Sequence, residues 1–157
     1  MKTLNRNEKI AVVVGIVVVG FFFVFGGLLV SIFRTGMLPG GETVVVASTT
    51  PQVVVQDTVL GTGDVAAPGE TLTVNYVGAF TDGKVFDSSI ARGVPFTFVL
   101  GAGKVISGWD QGLIGMKVGG TRILTVPPEL GYGPTDYGPI PGGSTLVFQV
   151  ELVSVQK

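Results

Sequence analysis

The sequence predicts an α+β domain, one curved antiparallel sheet with a single short helix packed on it, preceded by an N-terminal transmembrane helix. Three observations carry this expectation. Beyond Val53, apolar and polar residues mostly alternate with period two, in runs rich in Val, Thr, Phe and Leu punctuated by glycine and proline. After the N-terminal third, only the stretch containing Trp109, Leu113 and Met116 has helical spacing. From Ile10 to Phe33 there is no charged residue at all.

That uncharged run is about 24 residues long, and as a helix it reaches roughly 36 Å, enough to cross a bilayer. A cleaved signal peptide is the alternative. Its apolar core is usually about 7–15 residues and ends at a small-x-small site, whereas this run is longer and leaves through Ser31-Ile32-Phe33-Arg34. Lys2, Arg6 and Lys9 precede it and only Arg34 follows closely, so residues 1–9 are expected to be a cytoplasmic tail and 10–33 an uncleaved anchor. The chain then reads as a single-pass membrane protein with its C-terminal domain outside the cytoplasm. Residues 34–52, rich in Gly, Thr, Ser and Pro, read as a flexible linker that extends to about 60 Å at most. Residues 53–157 form the folded domain.

Within that domain Leu72, Val74 and Tyr76 fall on one face of a strand, and Thr71, Thr73 and Asn75 on the other. Asp82-Gly83, between Phe80 and Val85, is a turn signal that folds the next strand back. Phe96, Phe98 and Leu100 share a face, as do Leu146, Phe148, Val150 and Leu152. Ser107 with Asp110 three positions on fits a capping box, which puts Trp109 in the first turn of a short helix ending near Gly115, Gly119 and Gly120.

Composition excludes several chemistries. Without cysteine there is no disulfide, thiolate nucleophile, haem attachment or cysteine zinc site. Without histidine, serine–histidine catalysis is excluded and the commonest metal ligand is missing; no metal and no cofactor is expected. Four bases against one acid make residues 1–34 net +3, which leaves −4 for the rest of a chain whose total is −1. An acidic domain without a basic stripe is a poor nucleic-acid binder.

What remains is aromatic. Tyr76, Phe86, Phe96, Phe98, Trp109, Tyr132 and Phe148 are spread over segments that a sheet-plus-helix fold can bring together. Each ring taken singly reads as core packing, and Asp87 taken singly as a strand-end surface carboxylate. Their combination says more. Phe86-Asp87-Ser88-Ser89, Pro95-Phe96-x-Phe98-x-Leu100-Gly101, Val105-Ile106-x-Gly108-Trp109, Tyr132-Gly133 and Leu146-Val147-Phe148-x-Val150-Glu151-Leu152 occur in this order. Across Val53–Val155 the chain resembles the FKBP-type peptidyl-prolyl cis–trans isomerases.

The resemblance implies a half-barrel sheet wrapped around the helix, with a pocket between them lined by Tyr76, Phe86, Asp87, Phe96, Val105, Ile106, Trp109, Tyr132, Ile140 and Phe148. Trp109 would floor it under the substrate's proline ring. The Ile106 backbone N–H and the Tyr132 hydroxyl would meet ligand carbonyls, and Asp87 would interact with Tyr76 and Arg92 as electrostatic support rather than as a proton donor. The implied partners are proline-containing polypeptides and macrolide inhibitors. Pro134-Thr135-Asp136-Tyr137-Gly138-Pro139-Ile140-Pro141 departs from the family pattern, lacking its usual histidine and one of two isoleucines. Three functions are therefore kept: an isomerase assisting exported or surface chains, a proline-peptide-binding module with little turnover, and a structural surface module.

Overall fold

The computed structural model describes residues 50–157; the expected tail, the anchor and all but the end of the linker lie outside the described residues. Among the described residues no helix is long and apolar enough to cross a membrane. The elements run β1 (Val54–Val59), β2 (Thr71–Phe80), β3 (Val85–Ser88), α1 (Ser89–Arg92), β4 (Phe96–Val99), α2 (Ser107–Gly112), β5 (Thr121–Val126) and β6 (Leu146–Gln156), with a 3-10 turn at Pro128–Leu130.

All pairings are antiparallel, in the order β1-β5-β6-β2-β3, with β4 also on β2. β2 and β6 form the centre, paired from Thr71↔Gln156 to Phe80↔Leu146. The expected alternation holds: Leu72, Val74 and Tyr76 are buried while Thr71, Thr73 and Asn75 are partly exposed. Leu146, Phe148, Val150 and Leu152 likewise line the core side of β6. The Asp82-Gly83 turn is present, closed by Gly83 N–H to the Phe80 carbonyl at 2.9 Å and Phe80 N–H to Lys84 at 2.9 Å.

The outer edge of β2 is shared. Residues 71–74 pair with β4 and residues 77–79 with β3, so the backbone of Tyr76 falls in the gap between them. A side chain fills that gap. Ser89, fully buried at the start of α1, accepts from Tyr76 N–H at 2.8 Å and donates to its carbonyl at 3.4 Å, satisfying groups that would otherwise be orphaned in the core.

The sequence did not suggest α1. It is a single turn, capped by the Ser88 hydroxyl on Ala91 N–H and ended by Gly93 in the left-handed region. Two expectations about α2 are also corrected. Ser107 is not a cap: the helix starts after Ile106, with no side-chain cap bond, and the Asp110 carboxylate instead accepts from Gly101 and Gly103 N–H at 2.8 and 3.0 Å. Asp110 therefore pins the loop that leads into the helix. The helix also ends earlier than expected, at Gly112, where the chain turns through Leu113 to the left-handed Gly115.

The placement of α2 depends on two glycines four apart on one face. A Cβ at Gly108 would lie 2.5 Å from Val126 Cγ1, and one at Gly112 would lie 2.8 Å from Leu124 Cδ2, so the helix lies directly on β5. Its other face carries Trp109 into the core. At its C-terminal end Arg122, 8% exposed, donates to the Gly112 and Ile114 carbonyls at 2.8 and 3.1 Å and to Asp57 of β1 at 2.6 and 3.0 Å. One guanidinium thereby joins helix, central sheet and edge strand.

Candidate active site

Between α2 and the concave face of the sheet lies a cavity of about 140 Å³, lined by Tyr76, Phe86, Asp87, Phe96, Lys104, Val105, Ile106, Trp109, Tyr132 and Phe148. Drug-sized clefts run about 300–1,000 Å³. This one suits a single small ring.

Trp109 forms its floor. The indole is 4% exposed and meets Tyr76 edge-on at 5.1 Å (86°), Phe148 at 5.3 Å (87°) and Phe96 at 6.1 Å (74°), with Phe98 tilted at 5.7 Å. Such edge-to-face contacts hold rings more firmly than area burial alone. The indole N–H has no hydrogen-bond partner among the described residues. Phe86 closes the wall against Phe148 at 5.7 Å, and a Cβ on Gly78 would intrude between them, 2.8 Å from Phe86 and 2.9 Å from Phe148.

One polar corner interrupts the aromatic lining. The Tyr76 hydroxyl donates to Asp87 Oδ2, Arg92 Nη1 donates to Asp87 Oδ1, and Arg92 Nη2 donates to the Tyr76 oxygen at 2.9 Å. Ser88 N–H adds a fourth bond, to Asp87 at 2.8 Å. Burial, then the Asp87 carboxylate, pushes the Tyr76 phenol above its usual range, while hydrogen bonds to Tyr76 and Asp87 do the same for the Arg92 guanidinium. Tyr132 is also raised, first by burial and then by the fields of Tyr137 and Asp87. Hence both cavity phenols stay protonated at neutral pH, and the corner is an internally paired anchor rather than a source of protons.

The structure brings together at the cavity wall every sequence-predicted site residue except two. Arg92 stands behind the lining, reaching it through Tyr76 and Asp87, and its side chain is half exposed. Ile140 is 4% exposed and is not among the lining residues; its backbone pairs with Tyr137, and it belongs to the same core cluster as Tyr76, Trp109 and Phe148, which do line the cavity. Lys104 lines the cavity and was not anticipated, because an isolated lysine in a glycine-rich loop carries no pattern. A second cavity, about 120 Å³, lies beside the end of β1 and is lined by Asp57, Val59, Leu60, Gly61, Gly115, Met116, Lys117, Gly120 and Arg122. It has no ring in its wall, and Asp57 and Arg122 already neutralise each other there.

No group of His, Cys, Asp and Glu able to hold a metal occurs among the described residues. The cavity instead offers an aromatic wall with one internally paired polar corner at Tyr76, Asp87 and Arg92.

Comparison with known proteins agrees with this geometry. A family described as FKBP-type peptidyl-prolyl cis-trans isomerase matches residues 63–153. FK506-binding protein 2 of Emericella nidulans is 55% identical over 89 residues, 56% of this chain and 66% of that protein. Peptidyl-prolyl cis-trans isomerase FKBP15-2 of Arabidopsis thaliana is 55% identical over 93 residues, 59% of this chain and 57% of that protein. The chain thus spans less than two thirds of these relatives' lengths, 66% of one and 57% of the other. Among solved structures, AtFKBP13 superposes with a TM-score of 0.62 at 42% identity, covering 65% of this chain and 91% of that one. FkpA from Escherichia coli gives 0.64 at 36% identity, covering 95% and 62%. With the family match extending over more than half of its residues, the chain belongs to the FKBP-type peptidyl-prolyl cis-trans isomerases.

Proposed function

We propose that this protein is a peptidyl-prolyl cis–trans isomerase whose cavity encloses the proline of a polypeptide and lowers the barrier to rotation about the preceding amide. The observation that carries this reading is the Trp109 floor, ringed by Tyr76, Phe96 and Phe148 in a cavity sized for one ring.

Rotation about an X–Pro bond faces about 18–20 kcal/mol because amide resonance must be broken, and uncatalysed exchange takes tens to hundreds of seconds. No bond is cleaved and no proton moves, so the absence of histidine and cysteine from the sequence is no obstacle. Water favours the planar amide by solvating its charge-separated resonance form. An aromatic enclosure withdraws that solvation and packs against the twisted form, which is differential binding of the transition state. Each ~1.36 kcal/mol so removed gives tenfold in rate. In this scheme the Ile106 N–H and the Tyr132 hydroxyl hold carbonyls flanking the proline, and the Tyr76–Asp87–Arg92 corner keeps the wall rigid.

The same proposal places the domain outside the cytoplasm, tethered by residues 10–33, where it acts on exported or surface chains. The uncharged run and the excess of Lys and Arg before it support this. Protease added to intact cells would then remove the domain while sparing an N-terminal tag; protection of the domain would overturn the topology. The relatives' name, FK506-binding protein, supports a macrolide as competitor.

The test of activity is a proline-isomerisation assay on the full chain in detergent. Turnover above the uncatalysed rate, inhibited by FK506 and lost in a folded Trp109→Leu variant, is expected. Tight peptide binding with an unaltered exchange rate would replace the isomerase by a binding module.

A further inference from the structure

The cavity's two phenols are held in different ways. Tyr76 is fixed at its hydroxyl by Asp87 and Arg92. Tyr132 has no hydrogen bond at its hydroxyl among the described residues, yet it lines the cavity. Its ring packs against the core and against a second ring: Tyr137 lies parallel to it, with centroids 4.6 Å apart and planes at 17°.

Tyr137 is 61% exposed but stands on a fixed backbone. Its N–H donates to the Ile140 carbonyl at 2.8 Å and its carbonyl accepts from Ile140 N–H at 2.9 Å, while Ile140 is anchored in the core. The flap is closed below by Gly143 N–H on the Gly133 carbonyl at 2.9 Å and by the Asp136 carboxylate on Gly142 N–H at 2.7 Å. Pro134, Pro139 and Pro141 restrict it further. An exposed aromatic ring on so constrained a loop serves as a fixed surface for its neighbour.

We propose that Tyr137 is a positioning residue, which holds the Tyr132 ring by stacking so that the Tyr132 hydroxyl faces the cavity and meets a carbonyl of the bound polypeptide. The field of Asp87 at the Tyr132 phenol agrees with that orientation, since Asp87 lines the same cavity. The inference rests on the isomerase reading for its consequence in turnover, but not for its consequence in ring motion.

The chain has three tyrosines, so uniform 3-fluorotyrosine labelling of the full chain in detergent yields resonances only from Tyr76, Tyr132 and Tyr137. Fluorine exchange broadening then reads the Tyr132 ring-flip rate. In Tyr137→Phe, which keeps the stack, that rate stays at the wild-type value; in Tyr137→Ala it rises at least tenfold. In the isomerase assay Tyr137→Ala raises KM about twofold to tenfold, the size of one aromatic pair, with kcat little changed. Tyr137→Phe restores KM, and in a Tyr132→Phe background Tyr137→Ala has no further effect. A Tyr132 ring that flips equally slowly in Tyr137→Ala overturns the proposal, as does a KM increase that persists without the Tyr132 hydroxyl. Absence of turnover in the wild type would remove the isomerase reading alone, and the flip rate would still decide whether Tyr137 holds Tyr132.

Discussion

Gly108→Ala tests whether the floor of the cavity is set by the contact between α2 and β5. The new Cβ would sit 2.5 Å from Val126 Cγ1 and 2.8 Å from Cγ2, whereas carbon atoms pack at about 3.5–4.0 Å. Val126 is fully buried and cannot swing aside, so the first turn of α2 must lift by about 1 Å. Overpacking of this kind costs about 1–3 kcal/mol. Replacing a helical glycine by alanine returns about 0.5–1 kcal/mol. The net expectation is a loss of about 1–2 kcal/mol, a fall of roughly 4–16 °C in melting temperature for a domain of this size. Trp109 follows directly, so its indole moves with the turn, and a displacement of about 1 Å can cost up to a hundredfold in rate. Thermal unfolding and kcat/KM are measured on the same preparations, with Gly108→Ala/Val126→Ala alongside. The double variant removes both clashing methyls and should recover activity relative to Gly108→Ala despite its emptier core. Wild-type stability and activity in Gly108→Ala, or no recovery in the double variant, would refute the account.

Three further outcomes follow from contacts already described. Asp87→Asn weakens the corner that fixes Tyr76; with the Asp87 and Arg92 side chains 40% and 50% exposed, water compensates and denaturant unfolding should show a loss of only about 1 kcal/mol. Arg122→Met strips partners from Asp57 and from the Gly112 and Ile114 carbonyls, for which urea unfolding should report a loss of about 3 kcal/mol, partly recovered by adding Asp57→Leu. Turnover should be level from about pH 6 to 9, because the chain has no histidine and both cavity phenols titrate above the ordinary value of 10.0. Since those phenols hold their protons more tightly folded than unfolded, their contribution to stability is complete below about pH 10 and is lost as pH rises beyond it; a melting temperature that climbs through that range would contradict the burial of Tyr76 and Tyr132.

Much of the fold was legible because the pattern that encodes it is local. Leu72-x-Val74-x-Tyr76 and Leu146-x-Phe148-x-Val150-x-Leu152 announce strands with one apolar face, and both lie where a period of two puts them. β1 carries no such signal: all six of its residues are exposed, so neither face is marked. α1 is one turn long, too short for a helical period to repeat. At Ser107 a valid local signature lost to a tertiary competitor, as the Gly101 and Gly103 amides took the Asp110 carboxylate. The cavity wall was read through family resemblance rather than from any pattern of its own. Ile140, placed at the wall by the resemblance, lies in the core cluster that backs the cavity rather than among its lining residues. The Arg122–Asp57 pair spans 65 positions and was invisible for the same reason that most long-range polar contacts are.

The place of β6 bears on how the protein is made. The last described strand lies between β5 and β2 and supplies the central pairings of the sheet, so nothing upstream can close around the indole until residues 146–156 are available. A nascent chain emerging from the ribosome therefore carries β2 and β5 without their shared partner until residues 146–156 have been made, and is exposed to aggregation in that interval. A stop codon anywhere before residue 146 would leave two sheet halves with no common seam.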